Sequence, residues 1–161
     1  MQSQFAEMLE HFGESVGLEG LELNESGACS LVIDDLVVNM ETSEEAGQFF
    51  MYSVLGDMPE AGKEEVYAAL LGANVFFEQT HGATLGVDEN TGVVLLQYQT
   101  PLSALTENQF FTVMEDFANV AEAWAVHLEK LGAVEPEHNE PEQKVEEIPA
   151  PASMPMAGMR V

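Results

Sequence analysis

Glu7 and His11 stand four residues apart in a helical pattern, a spacing that brings two side chains to one face and can offer two ligands to a metal ion. The second histidine of a zinc signature is missing, so the spacing predicts a surface pair. His81 lies in Thr80-His81-Gly82, a loop before a strand, where a solvated imidazole is expected. Cys29 is the only cysteine and sits in an alternating apolar stretch with no basic neighbour to activate it. It reads as a structural thiol, and a single thiol fits a reducing compartment. Asp88-Glu89-Asn90-Thr91-Gly92 has oxygen ligands but places glycine fifth and runs at once into an apolar strand. An EF-hand needs glycine sixth and glutamate twelfth, so a hairpin turn is predicted instead. Gly82-Ala83-Thr84-Leu85-Gly86 lacks the lysine and following helix of a phosphate loop, and no G-x-S-x-G nucleophile elbow occurs. No metal, cofactor or catalytic group is expected.

Charge points away from nucleic acid and anionic lipid. The chain has 161 residues, 29 acidic against 4 basic, a formal net charge of −25. A phosphate backbone requires clustered Lys and Arg. Basic or polar polypeptides are the partners such a surface favours, although solubility alone would also account for it. Hydrophobic residues make up 46%, enough for one globular core. No apolar run approaches the ~20 residues of a bilayer span. Met1 to Glu7 has neither a basic n-region nor an apolar h-region, so no secretory signal is expected.

Composition divides the chain into residues 1–132 and 133–161. The second segment holds five of the seven prolines and six glutamates against Lys144 and Arg160. It has no Phe, Tyr, Trp or Leu, and reads as a disordered acidic tail. Residues 1–132 keep a net charge of −21, with Lys63 and Lys130 their only basic side chains.

Within the domain, Phe5, Met8, Leu9, Phe12 and Val16 form the apolar face of a helix over residues 2–16. Short strands follow at Leu21–Leu23, Cys29–Ile33, Leu36–Thr42 and Gln48–Leu55. The last of these is almost wholly apolar and is expected at the sheet centre, buried on both faces. Val66, Leu70, Ala73 and Phe77 predict a helix over residues 60–77. A hairpin spans Ala83–Val87 and Val93–Gln99. Thr106 and Gln109 form the capping box of a final helix that runs to about Leu131, with Gly132 as its C′ residue. The expected fold is α+β: an antiparallel sheet with three helices, in the order α-β-β-β-β-α-β-β-α. The pairs Phe49-Phe50 and Phe76-Phe77 place apolar side chains on two faces, which the chain's own helices or a partner must cover.

Several segments resemble one family. Cys29-Ser30-Leu31-Val32-Ile33-Asp34-Asp35, Phe50-Met51-Tyr52-Ser53-Val54-Leu55-Gly56 and Leu70-Leu71-Gly72-Ala73-Asn74-Val75-Phe76-Phe77 are similar to class I type III secretion chaperones, the CesT-like family. So are Gly82-Ala83-Thr84-Leu85-Gly86-Val87, Val93-Val94-Leu95-Leu96 and Pro101-Leu102. The resemblance covers about residues 4–131. It implies a non-catalytic homodimer in the bacterial cytoplasm. Such a chaperone would bind the N-terminal segment of a secreted effector in extended form and keep it soluble and export-competent. It also implies a secretion-apparatus ATPase as a further partner. Carried onto this chain, it implies client contacts at Phe5, Leu9, Phe12, Leu21, Leu23, Leu31 and Ile33. The implied dimer interface is Leu70, Leu71, Val75, Phe76 and Leu85. Two other readings stay open: a regulatory protein-binding module of YbjN type, and an acidic protein that binds calcium or a small ligand.

Overall fold

The computed structural model describes residues 2–133 except Glu44. Helix α1 spans Gln2–Val16, and strands β1 (Ala28–Ile33), β2 (Leu36–Ser43) and β3 (Gln48–Asp57) follow. Helix α2 is Lys63–Ala73, strands β4 and β5 are Thr84–Val87 and Val93–Pro101, and helix α3 is Glu107–Ala133. The strands form one antiparallel sheet in the order β1-β2-β3-β5-β4. The predicted succession of helix, strands, helix, hairpin, helix is the one observed.

One face of the sheet is covered by α1 and α3. Strand alternation aims Leu31, Val38, Met40, Phe49, Met51 and Leu96 into that layer, where all are buried. Phe5 of α1 meets Phe49 at 5.0 Å and Phe110 of α3 at 5.3 Å, and Phe12 meets Phe110 at 5.5 Å. Each such side chain contributes about 1.5–3 kcal/mol on burial. The capping box forms as expected: the Thr106 amide donates to Gln109 Oε1 at 2.9 Å, and the Gln109 amide donates to Thr106 Oγ1 at 3.3 Å.

Five local expectations are corrected. Leu21–Leu23 pairs with no described strand and runs as an irregular segment. Strand β3 is central but covered on one face only, with Tyr52 36% and Val54 50% exposed on the other. Its two faces are both apolar, and only one faces the helices. Helix α2 starts at Lys63, after Gly62 in the left-handed region (φ 73°). It stops at Ala73, and Val75–Phe77 forms a separate 3₁₀ turn, so Phe77 leaves the helical stripe. Helix α3 runs through Gly132 to Ala133. The acidic tail expected over 133–161 lies, beyond Ala133, outside the described residues.

Candidate polypeptide-binding site

None of the residues first considered for catalysis assembles a reactive centre. His11 Nδ1 lies 3.1 Å from Glu107 Oε1, a helix-to-helix surface pair. His81 lies 3.3 Å from Asp116. Asp88 organises its hairpin, accepting from the Asn90 amide at 3.0 Å and the Thr91 hydroxyl at 2.8 Å. Those hydrogen bonds hold its carboxyl below the usual carboxylate range. Cys29 is buried, and burial pushes its thiol up. Among the described residues no three His, Cys, Asp or Glu side chains cluster to hold a metal. No described helix is long and apolar enough to cross a membrane.

What the molecule offers instead is a groove and a strand edge. Helix α1 ends in a Schellman motif. The Leu18 amide donates to the Gly13 carbonyl at 2.7 Å and the Gly17 amide to the Glu14 carbonyl at 3.3 Å, with Gly17 at φ 75°. The chain then doubles back beside the helix. A Cβ on Gly13 would stand 2.7 Å from the Leu18 carbonyl oxygen and 3.2 Å from Leu21 Cβ, so only glycine permits that approach. Asn24 re-aims the chain into β1 by accepting the Ser26 amide at 2.9 Å and the Ala28 amide at 3.0 Å.

Between α1 and this returning segment lies a groove of about 900 Å³. Leu18, Leu21 and Leu23 give it apolar surface; Glu7, Glu10, Glu14, Glu19 and Glu22 give it charge, and among the described residues no basic side chain lines it. It leads to β1, whose outer side pairs with no described strand. No Pro or Lys within Ala28–Ile33 blunts this edge. The arrangement suits an extended chain that bonds through its backbone and seats alternate side chains.

A second apolar surface lies at the opposite edge. Leu71, Val75 and Phe76 are exposed, Phe76 at 85%, and Tyr67 and Phe77 join them. Phe76 and Phe77 both hold positive φ, 56° and 58°. The turn is pinned by Asn74, whose Nδ2 donates to the Leu85 carbonyl at 2.9 Å while its Oδ1 accepts the Leu85 amide at 2.8 Å.

The residues implied for client contact thus divide. Phe5, Leu9, Phe12 and Leu31 are buried in the core, at most 6% exposed. Leu21 and Leu23 are half-buried in the groove, while Ile33 is half-buried at the far end of β1. Of the implied dimer residues, Leu71, Val75 and Phe76 are exposed together and Leu70 and Leu85 are buried beneath them. Sequence reading missed Leu18 and the glutamates of the groove. Its available signal was Gly17 and Gly20 bracketing a Leu-Glu pair, with Glu7, Glu10 and Glu14 at helical spacing.

Known proteins share this construction. A chain of the ExsC–ExsE complex superposes with a TM-score of 0.68 at 24% identity, covering 80% of this chain and 96% of that one. A chain of the HopA1–SchA chaperone–effector complex gives 0.63 at 17% identity, covering 78% and 95%. The Tir chaperone of Citrobacter freundii is 27% identical over 124 residues, 74% of this chain and 79% of that protein. The family model of the Tir chaperone proteins matches residues 7–125, which take in α1 from Glu7 onward, the whole sheet, α2 and most of α3. The chain therefore belongs to the Tir chaperone protein (CesT) family.

Proposed function

We propose that this chaperone binds the N-terminal segment of a type III secreted effector along the β1 edge, with client side chains seated in the α1 groove. The client is held extended, soluble and export-competent, without catalysis, in the bacterial cytoplasm. The chaperone acts as a homodimer paired through Leu71, Val75 and Phe76, and delivers its client to a secretion-apparatus ATPase. The observation that carries the reading is the β1 edge, which pairs with no described strand and carries no Pro or Lys, following in the chain from a groove with half-buried leucines. Membership of a chaperone family supports it, as does the likeness in fold to a chain from a chaperone–effector complex.

The test begins with capture from the native organism and identification of the bound polypeptide by mass spectrometry. Calorimetry with peptides from that polypeptide then compares wild type with Leu21→Ala and Leu23→Ala. Truncating an anchor in such a pocket costs about 2 kcal/mol of binding or more. Both variants should still fold cooperatively and lose less stability than client affinity, because Leu21 and Leu23 pack only in part against the core, and client peptides should lose affinity when their own N-terminal segment is removed. A client that binds both variants at full strength would place the site elsewhere. A chain that takes calcium or a small molecule but no polypeptide would end the chaperone reading.

A further inference from the structure

Strands β2 and β3 part before either ends. Their ladder runs from Ser43–Gln48 to Asn39–Tyr52 and stops, while β2 extends back to Leu36 and β3 on to Asp57. Two features mark the place where the ladder stops. Buried Ser53 donates its hydroxyl to the Val37 carbonyl at 2.7 Å, a side chain standing in for a strand partner. A bulge between Val54 and Gly56 bends β3. Gly56, at φ 155°, lets Leu128 of α3 come within 3.1 Å of where its Cβ would be.

The gap opens into a cleft of about 410 Å³ between the β1–β2 turn, β3 and α3. Ile33, Leu36 and Leu55 line it from the sheet and Ala118 and Ala125 from α3, with Val54 and Val126 about half exposed at its mouth. Asp34 and Asp35 of the turn and Glu122 and Glu129 of α3 stand around it, and among the described residues no basic side chain lines it. The cleft adjoins Ile33, at the opposite end of β1 from the groove beside Leu23.

We propose that this cleft docks a short polypeptide segment in which apolar residues alternate with Lys or Arg. The apolar lining would remove an aliphatic side chain from water, and the four carboxylates would meet the flanking cations. Its volume falls within the ~300–1,000 Å³ of built pockets. Charge argues against the other occupants. Residues 133–161 carry six acids against two bases, and a second copy brings 29 acids against 4. The inference stands independently of the groove at the other end of β1.

The probe is a fluorescein-labelled Lys-Leu-Arg-Leu-Lys peptide, titrated with the full chain and followed by anisotropy. Replacing its leucines by serine should weaken binding about tenfold, as should the double variant Glu122→Lys, Glu129→Lys. The control Glu45→Lys, Glu89→Lys, with Glu45 in the turn at the opposite end of the β2–β3 ladder, makes the same charge change outside the cleft lining and should alter affinity less than about twofold. Ala125→Phe should remove the leucine-dependent part of the affinity. In the wild-type chain, amide shifts on titration should concentrate at residues 33–36, 54–55 and 118–129, a readout that stands even if a variant fails to fold. Equal weakening by the control, indifference to serine, or shifts spread over the surface would overturn the proposal and leave attraction to net charge alone. A change in the chain's own mass on Ala125→Phe would assign the cleft to a second copy and overturn it as well.

Discussion

Asn74 commits both ends of its carboxamide to a single residue, and two functions of the sheet edge depend on that bond pair. It satisfies the Leu85 amide and carbonyl, which would otherwise face out from β4. It also fixes the turn in which Phe76 and Phe77 hold left-handed backbone, a conformation that costs a bulky residue roughly 1–3 kcal/mol. Asn74→Ala leaves a part-buried donor and acceptor unpaired, at about 1–3 kcal/mol. Urea unfolding should show that loss, and light scattering should show weakened self-association as the Phe76 turn relaxes. Asn74→Asp should be worse, because its carboxylate would oppose the Leu85 carbonyl. Cys29 behaves differently. Its buried, raised-pKa thiol should resist thiol reagents in the native state and react only on unfolding.

At the scale of elements, the end of α1 decides whether a groove exists. Gly17 adopts φ 75° in the Schellman turn with nothing near it, so Gly17→Ala meets conformational strain and no clash. It should cost about 1 kcal/mol, read as a lower melting temperature. Gly13→Ala drives a methyl into the Leu18 carbonyl and should push the returning segment off the helix. Client affinity should then fall further than stability does, which calorimetry set beside melting curves would reveal. Elements that follow from local chemistry were legible in the sequence: the α1 stripe, the β4–β5 hairpin turn at Asp88, the Thr106–Gln109 box. Elements set by distant partners were not. Nothing in the spacing of Leu70, Ala73 and Phe77 shows that the Asn74 side chain will bond Leu85 where the helix ends. Strand β3 carries apolar residues on both faces, and only the packed fold shows that Tyr52 and Val54 stay uncovered. The resemblance placed the client site near α1, but half-buried Leu21 and Leu23 and buried Phe5, Leu9, Phe12 and Leu31 look alike as letters.

For the whole molecule, the surface around Phe76 and the charge of −25 pull in opposite directions. Two copies that approach each other repel, so a dimer must rest on apolar contact and be helped by salt, which screens the repulsion within about 10 Å at 0.1 M. A side chain 85% exposed at Phe76, beside Leu71 and Val75, is the patch available for it, and C2 pairing is the commonest solution. Light scattering should therefore give about twice the 17.5 kDa chain mass, with dissociation favoured at low ionic strength. Client capture should run the other way. A basic client is drawn to the glutamates of the groove, so association should slow as salt rises. Glu7→Gln with Glu10→Gln should flatten that slope while leaving the dimer intact. Val75→Glu buries an unpaired charge at the contact and should give monomers that melt as folded domains. Opposite salt responses of dimer and client would separate the two surfaces in one protein. A chain that stays monomeric at micromolar concentration in high salt would rule out the Phe76 surface as the pairing site, and a Val75→Glu dimer would do the same.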